Sequence, residues 1–417
     1  MIKLKRIVSL ILVFSAVFAL SACNRKDGQD AVDAGGDVQQ SGTAEKEKVL
    51  FSESVDVTDG LLVAVDFLGI ENRVTAIVAY VNDAAKKEID VTSVSDEVIG
   101  SSDGAVSSDG DFMFRAVDCN FDGYCDFMIK SWDAADGNES FYCFVWDVAE
   151  ENFAFSYQVE NPLFDEGNKR VYSTVYDGDD EYVYVYKPSD DGTVVLEKNF
   201  CVTDPVSFTQ DLDKYEKYMN PADRDGYLIL VNKTNLIGSD YEPDDLSDLA
   251  DTRSDRSARQ MRLTAAMALE AMYIEMRAAG YTDVSVTSAY RSYSEQEYLY
   301  DLYTEQEMSA NGYSREEARR VVDTYSAAPG TSEHQTGLCC DMHNLPGADQ
   351  AFAKQEVYNW LCENAWKFGF ILRFPEDKED ITTYEFEPWH YRFVGRYHAE
   401  KIHNLGLCLE EYLELVE

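Results

Sequence analysis

Positive charge is scarce in this chain. Thirty-six Lys and Arg stand against 78 Asp and Glu, for a net charge of -42 over 417 residues. So acidic a surface repels phosphate backbones and anionic headgroups, which argues against nucleic acid as a partner. Most of that acidity reads as a solvated surface, with some carboxylates available to gather divalent cations. Long apolar runs are also missing: after residue 22 none is long enough to span a bilayer. Histidine is rarer still. All five lie after residue 330, at His334, His343, His390, His398 and His403, so imidazole chemistry is confined to the C-terminal part. What remains is ordinary, with 45% hydrophobic and 27% charged residues. That composition suits a globular chain with room for two or three domains.

The N-terminus reads as an export signal. Lys3, Lys5 and Arg6 precede an apolar run from Ile7 to Leu20 that is broken only by Ser9 and Ser15. This is short for a membrane span and typical of a signal peptide. It ends in Leu20-Ser21-Ala22-Cys23, which resembles the lipobox of bacterial lipoproteins. The resemblance implies cleavage after residue 22, a lipid on Cys23, and residence on the outer face of the cell membrane; a plain secretory signal is the alternative. Eight further cysteines follow, an even number that permits disulfides without specifying their pairing.

Residues 23–48 are polar and rich in Gly, Asp and Gln, a composition that buries too little surface to fold. They are expected to form a tether. From 49 to 203 the texture changes to alternating runs such as LLVAVDFLGI, RVTAIVAYV, SFYCFVWDV and EYVYVYK, separated by DGNE, DGDD and SDDGT. That is the pattern of consecutive antiparallel strands, hence an all-β domain; no internal repeat is evident. A linker at 204–225 leads to a mixed region, 226–417. There the spacing predicts a helix over 254–279 carrying Met261, Ala265, Met272 and Met276, then a strand DVSVTS. Ser292-x-x-Glu295 and Ser314-x-x-Glu317 are capping boxes that open two more helices, and Asp349 to Lys367 forms another that stops at Gly369. Elements mixed in this order predict an α+β domain.

Two stretches in that domain carry metal-binding residue types. In TSEHQTGLCCDM (331–342), His334 sits in a loop, and from Gly337 onward the chain reads as a strand with Gly337, Cys339 and Asp341 on one face. In Glu387-Pro388-Trp389-His390, a turn at Pro388 is needed to aim Glu387 and His390 the same way. Two imidazoles and a carboxylate leave a tetrahedral zinc one open position for water, with a nearby carboxylate to take its proton. Spacing alone leaves open a structural metal or none.

Taken together, these stretches resemble the VanY-type D-alanyl-D-alanine carboxypeptidases. Ser332, His334, Gly337 and Asp341 match S-x-H-x-x-G-x-A-x-D, with Cys339 in place of alanine. Glu387, Trp389, His390 and Arg392 match E-x-W-H-x-R. Ser288, Ala289, Tyr290, Arg291, Ser292 and Gln296 match S-G-Y-R-S-x-x-x-Q, with Ala289 for glycine. The resemblance covers 226–417. It implies a hedgehog/D-Ala-D-Ala peptidase-like fold, peptidoglycan stem peptides as substrate, and one catalytic Zn2+ on His334, Asp341 and His390. It also implies Glu387 as general base and Arg291 as oxyanion stabiliser or carboxylate clamp, with Gln296 and Ser332 as candidate substrate contacts. An L,D-carboxypeptidase or D,D-endopeptidase on the same site, or a non-catalytic wall-binding module, are the alternatives. Cys339 is expected beside Asp341 near the metal, Cys340 toward the core with Leu338 and Met342, and no bond between the two cysteines.

A second candidate metal site lies in the β region. Asp118, Asn120, Asp122 and Asp126, with the backbone carbonyl of Tyr124, fit D-x-N-x-D-G-x-x-D, an oxygen cage suited to Ca2+. Ile129 at the twelfth position rules out an EF-hand. An acidic hairpin turn is the alternative, and Cys119 with Cys125 might close the loop as a disulfide.

Overall fold

The computed structural model describes residues 48–70, 73–81, 85–91, 114–130, 137–202, 206–218, 226–253 and 259–416. The export signal, Cys23, nearly all of the tether and parts of the linker lie outside the described residues. Among the described residues, no helix is long and apolar enough to cross a membrane.

Local alternation builds three antiparallel four-stranded sheets one after another. The first is β1 (Lys48–Thr58), β2 (Leu61–Ile70), β3 (Arg73–Val81) and β4 (Ala85–Ile89). The second is β5 (Phe114–Val117), β6 (Asp126–Lys130), β7 (Ser140–Asp147) and β8 (Asn152–Glu160). The third is β9 (Pro162–Asp165), β10 (Arg170–Asp177), β11 (Asp180–Pro188) and β12 (Val194–Cys201). The all-β expectation for this region is therefore met. The structure adds a repetition that the sequence does not display: the same meander occurs three times.

The sheets pack face to face, so each strand's alternation serves two interfaces. Val55, Val63, Val65 and Phe67 of the first sheet meet Phe127, Phe144 and Trp146 of the second. The other face of the second presents Met128, Phe141, Cys143 and Val159 to Val171 of the third. Tyr172, Val183 and Val185 of the third sheet then pack on Tyr397 of the C-terminal region. There Glu181, almost fully buried, accepts hydrogen bonds from Tyr397 Oη (2.9 Å) and Lys401 Nζ (2.7 Å).

The C-terminal region is α+β. A two-stranded ladder, β13 (Leu246–Asp248) with β14 (Gln260–Arg262), precedes α1 (Leu263–Ala278). Met261 therefore lies in a strand rather than on the helix expected from 254, although it still reaches the same core. β15 (Ser285–Ser288) is followed by α2 (Tyr293–Asn311) and α3 (Arg315–Val322), and both expected capping boxes are formed. After these come β16 (Cys339–His343), α4 (Glu356–Asn364), β17 (Phe370–Leu372), α5 (Glu379–Thr382), β18 (His390–Phe393), α6 (Arg396–Leu405) and α7 (Leu409–Val416). The helix expected over 349–367 is broken into a 3-10 turn, α4 and a second 3-10 turn, ending at Gly369 with φ 86°. The antiparallel sheet runs β15-β16-β18-β17, and α1 covers it with Ala265, Leu269, Met272 and Met276 against Val286, Cys340, Met342 and Tyr391.

Candidate active site

The central strand pair sets the site. In the β16–β18 ladder Asp341 stands opposite His390 and Cys339 opposite Arg392. Because side chains alternate, Leu338, Cys340 and Met342 enter the apolar core while Cys339 and Asp341 face the other way, as expected. Every one of the eight cysteines among the described residues is a free thiol, so Cys339 and Cys340 are not joined.

His334 is delivered by a 3-10 turn, Glu333–Thr336, that ends at Gly337 with φ 67°. Gly337 is thus a left-handed stop and not the first residue of the strand face. A Cβ there would lie 3.1 Å from Leu246 Cδ2 and 3.2 Å from Arg262 Cγ, so close packing and backbone conformation both call for glycine. His334 Nδ1 lies 2.7 Å from the Ala289 carbonyl, which keeps a proton on that nitrogen and leaves Nε2 free to ligate. Ala289 itself has no positive φ, so its replacement of glycine is accommodated. The turn needed at Pro388 is present, closed by His390 N–H donating to the Glu387 carbonyl at 3.1 Å.

These segments bring four predicted residues together. His334 Nε2 lies 3.4 Å from Asp341 Oδ2, His390 Nδ1 3.1 Å from Asp341 Oδ1, and His390 Nδ1 3.5 Å from Glu387 Oε2. Asp341 Oδ1 is buried yet has no hydrogen-bond partner despite the nearby nitrogen. His334 Nε2, His390 Nδ1 and the Asp341 carboxylate are thus drawn into one small region. Zinc bonds of about 2.0–2.1 Å in a tetrahedron place neighbouring ligand atoms about 3.3 Å apart, so the donor set fits that ion.

Electrostatics tie the cluster together. Burial opposes charge on each member, yet Cys339 and Asp341 hold His334 up at about 9, and the two imidazoles hold Asp341 well below the usual carboxylate range. Burial also raises Cys339, but His334 and His390 outweigh it and bring the thiol down to about 7. Burial pushes Glu387 up to about 7, partly countered by His390. A carboxyl near neutrality suits a general base.

The cluster lies in an open cleft of ≈ 240 Å³ whose walls include Arg291, Ser332, Phe374, Tyr384 and Trp389. Arg291 and Ser332 therefore stand where substrate contacts were expected. Gln296 does not: it is 1% exposed, accepts from Arg291 Nη1 at 2.6 Å, and donates to the Ala327 carbonyl at 2.6 Å. It is a buried brace for Arg291, whose Nη2 is also held by Ser288 Oγ at 2.9 Å. The reason is positional. Gln296 sits in the first turn of α2, facing the 326–327 segment rather than the cleft. Glu385 is exposed, as its failure to match the motif suggested, and His343 and His398 are buried structural histidines.

The sequence reading missed Glu333. Its Oε2 faces His390 Nε2 at 3.5 Å, and neither atom has another partner. Its Oε1 accepts from Arg373 Nε (2.7 Å) and Arg392 Nη1 (2.6 Å), while Arg373 also grips Glu410 through two bonds of 2.7 and 2.6 Å. Burial would raise the Glu333 carboxyl, but the two guanidinium groups hold it far below its ordinary value. An ionised carboxylate behind an imidazole favours a proton on the nitrogen that faces it, Nε2, which would leave Nδ1 for a metal. The signal available beforehand was Arg392, a motif arginine next to no obvious partner.

In the β region the acidic loop has a different emphasis. Asp118 Oδ1 and Oδ2 accept from the amides of Asp122 (3.2 Å) and Gly123 (2.9 Å), and Asp122 Oδ1 from Tyr124 N–H (2.9 Å). Asn120 Oδ1 accepts from Asp122 N–H at 3.2 Å. Asp126 is turned inward, taking Cys119 N–H at 2.8 Å and Trp146 N–H at 2.7 Å. The disulfide considered between Cys119 and Cys125 is absent. Cys119 belongs to the core between the second and third sheets and Cys125 packs against the core between the first and second, so they point apart.

Comparison with known proteins bears on the C-terminal region. The family model described as VanY, D-alanyl-D-alanine carboxypeptidase, matches residues 258–396. The protein YodJ of Bacillus subtilis is 38% identical over 212 residues, covering 49% of this chain and 72% of its own length. A D-alanyl-D-alanine carboxypeptidase of Enterococcus faecalis is 40% identical over 186 residues, covering 45% of this chain and 65% of its own. Among solved structures, a vancomycin-resistance D,D-pentapeptidase VanY in complex with Zn(II) is 39% identical, with a TM-score of 0.38, over 45% of this chain and 98% of that one.

Proposed function

Because this chain belongs to the VanY family of D-alanyl-D-alanine carboxypeptidases, we propose that it is a zinc metallopeptidase that removes the terminal D-alanine from peptidoglycan stem peptides. The observation that carries the reading is the convergence of His334, Asp341 and His390 beside Glu387 in one cleft. Those three residues would hold a zinc ion, which when bound would supply Lewis acidity and a water of lowered pKa. Glu387 takes the proton from the attacking water and returns it to the departing amine. Arg291, braced by Gln296 and Ser288, presents its remaining donor capacity to the substrate carboxylate or the developing oxyanion. Glu333 holds His390 in its ligating orientation.

The test is direct. Purified protein is incubated with defined pentapeptide and tetrapeptide muropeptides, with and without chelator, and products are identified by mass. Chelator-sensitive loss of one D-Ala from the pentapeptide alone is the expected result. Cleavage of the tetrapeptide instead assigns L,D-carboxypeptidase activity, and no cleavage of either refutes the proposal.

Two further parts of the proposal rest on motif alone. Cys23 carries a lipid that anchors the protein on the outer face of the membrane, supported by the Leu20-Ser21-Ala22-Cys23 signature. Cys23→Ser should then release the protein into the soluble fraction. The loop from Asp118 to Asp126 binds Ca2+, supported by the oxygen spacing of Asp118, Asn120 and Asp122 around Gly123. Calorimetric titration of the chelator-treated protein with calcium, against Asp122→Ala, decides it.

A further inference from the structure

Cys339 has no part in the chemistry assigned to the cleft. It is 0% exposed and does not line that cleft, so it approaches the cluster from the buried side. A buried free thiol is ordinarily a small apolar filler, and Cys340 behaves that way, packed among Leu338, Met342 and Tyr391. Cys339 belongs to none of the apolar clusters found among the described residues. Its surroundings are two imidazoles and a carboxylate.

The distances go further. One ring nitrogen each of His334 and His390 and the sulfur of Cys339 all lie within 4.8 Å of one another. Even if all three separations took that upper value, the point equidistant from them would lie about 2.8 Å from each. Zinc–nitrogen and zinc–sulfur bonds are about 2.0–2.3 Å, so side-chain adjustments of about 0.5–0.8 Å close the gap. Asp341, on the same strand face, already stands 3.4 and 3.1 Å from the two imidazoles. The atoms that converge are thus those of His334, His390 and Cys339, with Asp341 beside both imidazoles and Glu387 and the open cleft adjoining them.

We propose that Cys339 is a protein ligand of the resident cation, completing a set of two histidines, one aspartate and one cysteine from the buried side and leaving the cleft side for water and substrate. The inference rests on the zinc site assigned above. Ligation releases the thiol proton to solvent, and thiolate plus carboxylate balance the two charges of the ion. The set is softer than two histidines and an aspartate, so it favours zinc or cobalt over hard oxygen-seeking ions.

Cobalt(II) reports the sulfur directly. Full-length protein is stripped with chelator, reloaded with Co(II), and its absorption compared with Cys339→Ala and Cys339→Ser. The expected result is a near-ultraviolet thiolate-to-cobalt band, one sulfur per cobalt, present in the parent and lost in both variants. Zinc affinity, measured by competition with a chromophoric chelator, should fall at least about tenfold in the alanine variant. Visible cobalt bands without the thiolate band overturn the Cys339 assignment while leaving the metal site intact. Absence of any cobalt spectrum overturns the metal site itself. Far-ultraviolet dichroism on each variant ensures that a lost band reflects a lost ligand; if both variants unfold, a parent spectrum lacking the thiolate band still refutes the proposal.

Discussion

Asp341 Oδ1 and His390 Nδ1 face each other across the β16–β18 ladder at 3.1 Å. A carboxylate and an imidazole held so close suit a shared cation, so removing either should cost metal before it costs fold. Asp341→Ala is expected to weaken zinc binding at least about 100-fold and to abolish turnover. The parent should also lose thermal stability on chelation, by the amount ligand linkage dictates, while the variant does not respond. A variant that still binds stoichiometric zinc would contradict the assignment.

Glu387 sets the pH response. Burial places its carboxyl at about 7, and the sign is simple: only the ionised form accepts a proton, so activity is lost as pH falls. A bound cation draws the value lower. kcat/KM should therefore show an acidic limb with an apparent pKa at or below about 7. Glu387→Gln should keep its zinc while kcat falls about 10²–10⁴-fold. Retention of full activity would remove Glu387 from the chemistry.

Arg291 and Gln296 should act as one unit. Losing a charged hydrogen-bond donor to substrate costs about 1.5–3 kcal/mol, so Arg291→Ala should lower kcat/KM by about 10–150-fold. Gln296→Ala frees the guanidinium and should produce a smaller loss in the same direction. Because one acts through the other, the double variant should be no worse than Arg291→Ala alone. Strict additivity in that cycle would separate them.

Arg373, 0% exposed, bridges Glu333 and Glu410. Arg373→Met removes the guanidinium shared by two buried carboxylates, leaving Glu333 to Arg392 and Glu410 to Asn232, and should destabilise the fold by about 3–5 kcal/mol, read from the urea midpoint at unchanged slope. The pH dependence follows from Glu333. Its carboxyl is depressed in the folded state, so the stabilisation is present above the unfolded carboxylate range and is lost as pH falls below it. Acid unfolding should accordingly begin at higher pH in Arg373→Met, where the Glu333 carboxyl is less depressed, than in the parent.

Much of the molecule was legible from short-range chemistry. Both capping boxes formed where Ser and Glu stood three apart, and β2 and β3 coincide with the alternating runs LLVAVDFLGI and RVTAIVAYV. β4, Ala85–Ile89, escaped because AKKEI is charged and pairs only with β3, at an edge of the first sheet where no second neighbour demands alternation. Met261 was assigned to a helix because its spacing suited one, but pairing with β13 claimed it.

The sequence by itself determined the elements and the donor types, since helix caps, strand alternation and the residues 334, 341, 387 and 390 are properties of chain segments a few residues long. Only the tertiary structure decided what each buried polar group meets. Glu333, Arg373 and Glu410 are far apart in the chain, and Gln296 turns to Ala327 rather than the cleft. Cys119 and Cys125 enter different cores, and Cys339 lies against two imidazoles. A buried charge or thiol must find a partner, and which partner it finds depends on how the sheets and turns pack, which no local spacing encodes.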